Sequence, residues 1–144
     1  LILFADGVGV FFWSFRKVKA VKETVVVFLG GGVGTVFRYW LSGSVYRFVD
    51  ASFPYGTLFV NLIGCFLIGL LMSVFEERFV VQPLLRIFLT LGVLGGFTTF
   101  SSFSFETISL FREGSMLLGV GNVLFSLSGC LFGTWIGLVI GKLL

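Results

Sequence analysis

Three polar groupings interrupt an otherwise apolar chain. Thr57, Asn61 and Gly64 recur about one helical turn apart and so form one strip on a helix. Asn122, Ser126 and Cys130 recur at i, i+4 and i+8 and form a second. The third is the run Thr98-Thr99-Phe100-Ser101-Ser102-Phe103-Ser104-Phe105-Glu106, in which Phe100, Phe103, Ser104 and Thr107 share a face. Amide and hydroxyl donors replace part of an ion's hydration shell, and the positive edge of a phenyl ring attracts an anion without a full charge. Weak, repeated contacts of that kind permit passage, whereas Lys or Arg in their place holds a small anion too tightly for release. Two readings fit each strip, because a polar residue in a membrane helix serves either as interhelical glue or as an ion contact. Most of the 20 Phe read as filler. Phe100 and Phe103 differ because their face also carries hydroxyls.

Two charges fall inside the apolar segments, Arg38 and Glu106. Arg38 at a pore mouth gathers anions by focusing the field, and it belongs with the ion-pathway candidates. Snorkelling to headgroups or a structural ion pair are the alternatives, and they suit Glu106 better.

These groups need a scaffold, and composition states its class. The chain has 144 residues, 57% hydrophobic and 12% charged, with a mean hydropathy of +1.10. A soluble domain carries about a quarter charged residues, so this is an all-α integral membrane protein, expected in the cell membrane as a multi-pass chain. A span needs about 20 apolar residues, which leaves room for four or at most five. The chain has no His, and no Ser/Lys, Cys/His or paired-carboxylate constellation replaces it, which argues against an enzyme. The net charge of +3 clusters at segment ends as membrane anchors do, so the partner is lipid and not nucleic acid. Cys65 and Cys130 lie within apolar runs as packing thiols, and two cysteines make no disulfide framework.

Residues 1–23 read as an interfacial or disordered N-terminal extension, since Asp6, Gly7 and Gly9 interrupt it and its basic cluster follows the apolar stretch, the reverse of a secretory signal. Residues 24–144 read as a four-helix transmembrane channel domain. Spans are expected over Thr24 to about Val45, Tyr55 to Phe75, Leu84 to Phe111 and Met116 to Ile140. The third is expected to be broken at Gly92, Gly95, Gly96, Thr98 and Thr99, because freed backbone groups at membrane depth are tolerated only beside protein or a wet cavity.

Gly129, Gly133, Gly137 and Gly141 recur at every fourth position of span four, and Gly30 and Gly34 repeat the device in span one. Such stripes let another backbone approach, either within one subunit or across a dimer seam. Four helices alone scarcely enclose a pore, so an oligomer is expected. On orientation, Arg16, Lys17, Lys19, Lys22, Arg78, Arg86 and Lys142 share one side against Arg47 and Arg112, placing both termini in the cytoplasm.

Three strings in the sequence, Gly30-Gly31-Gly32-Val33-Gly34 leading to Arg38-Tyr39, Gly56-Thr57-Leu58-Phe59-Val60-Asn61-Leu62-Ile63-Gly64, and Gly95-Gly96-Phe97-Thr98-Thr99-Phe100-Ser101-Ser102-Phe103-Ser104 with Glu106, make the chain resemble the Fluc or CrcB family of small fluoride channels. The resemblance implies a subunit that pairs with an antiparallel copy, or with an oppositely oriented relative, to form two narrow pathways that passively export fluoride. It implies that Phe100 and Phe103 supply ring edges, Asn61 a pore-lining amide, and Thr57, Ser126 and Cys130 a polar track. It also implies one structural Na⁺, bound by the backbone carbonyls of Gly95 and Thr98 and shared between subunits. Two features depart from the pattern: the Cys130 thiol is a weaker donor than a hydroxyl, and the basic extension biases an insertion that antiparallel pairing needs unbiased. A proton-coupled exporter of drug-like cations and a non-transporting assembly subunit are the competing functions. The exporter wants an intramembrane carboxylate, for which only Glu106 is available.

Overall fold

The computed structural model describes residues 21–77 and 81–144, and every regular element within them is helical. Helix α1 spans Val21–Val45 and α2 spans Tyr55–Glu77. The third crossing is assembled from α3 (Pro83–Ile87), a π-helical stretch (Phe88–Leu94), α4 (Gly95–Phe97) and α5 (Phe100–Arg112). Helix α6 spans Met116–Leu143. With Pro83–Arg112 taken as one crossing, four helices among the described residues are long and apolar enough to cross a membrane. The starts at Tyr55 and Met116 agree with the sequence reading, and the helices run two to three residues past the expected ends. The N-terminal extension up to residue 20 and Arg78 of the orientation count lie outside the described residues.

Local chemistry sets the boundaries. Pro83 opens α3 at a position where its missing N–H is no loss. Gly114, with φ 78°, closes α5. Ser115 N–H donates to Leu110 O (2.9 Å) and Gly114 N–H to Phe111 O (3.1 Å), the paired bonds that reverse a chain through a left-handed residue. The turn into α6 is therefore tight.

The four crossings meet along two glycine seams. In the first, α1 lies on the π-helical stretch: a Cβ on Gly30 would stand 2.8 Å from Phe88 O and 2.9 Å from Gly92 Cα, and one on Gly34 would strike Val93 O. Gly96 extends this seam, meeting Gly31. In the second, α2 lies on α6: a Cβ on Gly137 would strike Phe66 O and stand 2.7 Å from Leu70 N, while Gly69 meets Thr134 O. Gly129, Gly133 and Gly141 face Leu62, Phe66 and Ser73. The α6 stripe thus serves packing within one subunit, and so does the Gly30/Gly34 pair. Without a hydrophobic force between helices in lipid, such close approach is what holds them.

Gly34→Ala is expected to destabilise the fold by about 1–3 kcal/mol through overpacking, read as the thermal unfolding midpoint in detergent. Gly32→Ala, whose Cβ meets nothing within 4 Å, is the matched control. Equal midpoints would remove the first seam from the energetics.

Candidate ion-handling site

The site is organised around two residues that leave the helical path. Thr98 (ψ 156°) and Thr99 (φ −149°, ψ 113°) are extended between α4 and α5. In a continuing helix Thr99 N–H would bond the Gly95 carbonyl and Ser102 N–H the Thr98 carbonyl. Instead Thr99 N–H donates to Asn61 Oδ1 at 2.8 Å, and Asn61 Nδ2 donates back to Thr99 O at 3.0 Å. Ser102 N–H donates to Thr99 Oγ1 at 3.2 Å, capping α5. Buried Thr99 is thereby satisfied at all three polar atoms, and the carbonyls of Gly95 and Thr98 are released from helix bonding.

A cleft of about 370 Å³ opens on one side of this pair. Its wall includes Asn61, Gly95, Thr98, Phe100, Phe103, Ser126 and Cys130, so seven of the nine candidate residues from the sequence border one space. The Phe100 and Phe103 rings stand 5.3 Å apart and are tilted by 49°. Phe103 is 8% exposed and Phe100 72% exposed, so within a single subunit the second ring is largely uncovered. Asn61 carries two N–H groups and two acceptor lobes. Its pairing with Thr99 uses one of each, leaving one N–H for a further partner. Asn61 thus braces Thr99 and still has a donor to spare.

The second polar strip divides. Asn122, 1% exposed, donates through Nδ2 to Thr107 Oγ1 at 2.8 Å and ties α6 to α5. Ser126 Oγ donates to Asn122 Oδ1 at 3.4 Å while still bordering the cleft.

The two remaining candidates, Thr57 and Arg38, stand in a second cleft of about 450 Å³, with Thr99, Ser102 and Glu106. Thr57 Oγ1 donates to Glu106 Oε1 at 2.8 Å, and Glu106 Oε2 is buried without a partner. Arg38 Nη1 donates to Thr98 O at 3.4 Å. Thr57 therefore borders a different cleft from Ser126 and Cys130, although the family resemblance implies one polar track for the three. Thr99 borders both clefts and is the wall they share.

Sequence reading left several contributors unassigned. Ser42 and Tyr46 border the second cleft, and with Arg38 they form an i, i+4, i+8 strip on α1 that periodicity could have revealed. Thr99 as a cap was legible from a hydroxyl directly before a helical run. Cys65, beside Cys130 in the first cleft, carried no such signal.

A family model described as CrcB-like protein, Camphor Resistance (CrcB), matches residues 25–138. The chain is 48% identical over 124 residues to a protein of Citrifermentans bemidjiense named Fluoride-specific ion channel FluC, covering 86% of this chain and 100% of that protein. A protein of Geotalea daltonii with the same name is 49% identical over 119 residues (81% of this chain, 96% of that protein). Another from Magnetococcus marinus is 46% identical over 118 residues (82% and 96%).

Asn61→Ala strands the Thr99 N–H and is expected to lower stability by about 1–3 kcal/mol. Hydrogen–deuterium exchange over a peptide spanning residues 98–102 reads it directly. Exchange should quicken there while α6 stays protected; an unchanged rate would mean that another group supports Thr99.

Proposed function

Because the chain belongs to the CrcB-like family, we propose that it is a multi-pass channel of the cell membrane that passes fluoride passively out of the cytoplasm, and that it is not an enzyme. The observation that carries the reading is the single cleft bordered by the Phe100 and Phe103 rings together with Asn61, Ser126 and Cys130. Arg38 lies outside that cleft, beyond Thr99, so among the described residues no fixed cation borders it to trap the ion.

In this mechanism Arg38 draws anions into the second cleft by field focusing. The Ser102 hydroxyl there, which accepts from Thr99 Oγ1 and keeps its proton free, begins to replace hydration water, and Thr57 joins it once its proton turns away from Glu106. Past Thr99 the spare N–H of Asn61 takes over as donor, joined by the Ser126 hydroxyl once its proton turns from Asn122 Oδ1, and the rims of Phe100 and Phe103 offer their positive edges. No step forms a covalent bond, so rate depends on how evenly the donors share the ion.

The third crossing acts in this reading as a broken helix that serves a pair of subunits. The largely uncovered Phe100 ring supports a second, antiparallel copy as its cover, in a homodimer or with a related chain. A hard cation such as Na⁺ prefers oxygen ligands, and the released carbonyls of Gly95 and Thr98 fit it: two from each subunit would hold one structural ion between them. Arg38 engages one lobe of the Thr98 carbonyl at long range and leaves the other. The bound ion would supply positive charge that ties the subunits together.

An exporter driven by protons is the second reading, favoured by the unpartnered Glu106 Oε2. Liposomes loaded with fluoride and watched by an external fluoride electrode separate the cases. Rapid electrogenic efflux with chloride retained supports the channel; proton-linked uptake of organic cations supports the exporter; neither supports an assembly subunit. Phe100→Ile is expected to lower fluoride flux at least about tenfold, equivalent to ~1.4 kcal/mol on the barrier, with the assembly unchanged by gel filtration. Full flux in that variant removes the ring from the pathway.

A further inference from the structure

Cys65 and Cys130 come from different helices, α2 and α6, and both border the Phe100 cleft. Both are free thiols of intermediate exposure, and their side chains are close enough to interact across the cleft wall. Their relative position is held from outside. Thr134 Oγ1 donates to Cys65 O at 3.0 Å, and on α6 Gly133 lies 3.4 Å (as a built Cβ) from Leu62 O. Two thiols carried on helices locked in this way need little ordering beyond a side-chain rotation to share a ligand.

Among the described residues no group of three or more His, Cys, Asp or Glu is placed to hold a metal. Zn²⁺, which wants about four ligands, therefore finds no site here, and a hard cation gains little from sulfur. A soft d¹⁰ cation is different, because two thiolates in line complete its coordination. We propose that Cys65 and Cys130 form a two-coordinate site for a soft cation of the mercuric class, bridging α2 and α6 in the wall of the Phe100 cleft.

Binding is a ligand exchange without a redox change: the cation forms two metal–sulfur bonds, each thiol loses its proton, and both protons leave to water through the open side of the cleft. A thiol at position 130 is a poorer donor to a passing anion than a hydroxyl, and this site gives the pair a distinct chemistry. The proposal concerns binding and stands apart from the transport reading.

The test uses the purified full chain in detergent, mercuric ion alone as the probe, and a monothiol as competitor. Bound metal is counted after gel filtration, with mercury–thiolate ultraviolet absorbance as a second readout. The intact pair should retain one ion per chain, and the monothiol should strip Cys65→Ser or Cys130→Ser at a concentration about a hundredfold lower, the gain expected when the second ligand is intramolecular. Single variants that hold the ion as firmly as the parent chain overturn the proposal. The parent chain also decides alone, should a variant fail to fold, because displacement of its ion by an equimolar monothiol overturns the proposal as well.

Discussion

The reciprocal pairing of Asn61 with Thr99 is the interaction on which the rest of the subunit depends. A residue in extended conformation at membrane depth has an N–H with no helical partner, and lipid offers none. Asn61 Oδ1 accepts that N–H, and its Nδ2 donates back to the Thr99 carbonyl, one planar amide bonding as an adjacent strand would. Two consequences follow at the same level of the chain. Helix α5 restarts under the Thr99 hydroxyl, and the carbonyls before the restart are left for other partners. The ring pair, the cap and the released oxygens thus all trace to one side chain on α2.

The two clefts divide the work by chemistry. One is bordered by charge and many hydroxyls; the other is mostly apolar, with its polar atoms supplied by a few uncharged residues of α2, the third crossing and α6. Thr99 separates them without pointing a charge into either. Glu106 is held on the charged side by Thr57, so its carboxylate lies in the cleft that the rings do not border.

How far the sequence carried the structure differed by feature. Hydropathy placed the spans because bilayer thickness imposes a length, and Pro54, Pro83 and Gly114 punctuate them. The small-residue stripe on α6 announced a close approach but not its partner: Gly137 has the same neighbours in sequence whether it meets α2 of its own subunit or a second chain, and only the tertiary fold set it against Phe66 and Leu70. Asn122 was grouped with Ser126 and Cys130 by spacing alone, and its bond to Thr107 depends on how α5 folds back through the Gly114 turn. The π-helical stretch Phe88–Leu94 left no pattern in the sequence, since wide turns of this kind are matters of packing. The Cys65–Cys130 contact likewise joins positions far apart in the chain.

The glycine seams also limit how the subunit can move. Main chain rests directly on main chain at Gly30, Gly34, Gly69 and Gly137, with no rotamers between the helices to absorb a displacement. If α1 advanced by one residue along its neighbour, Thr35 or Val33 would take the place of Gly34 against the Val93 carbonyl. The helix is a ratchet jammed by its own side chains, and the subunit behaves as a solid block. Control over it therefore has to arrive from its borders, through neighbouring lipid or a plugged cleft, and not from helices sliding within it.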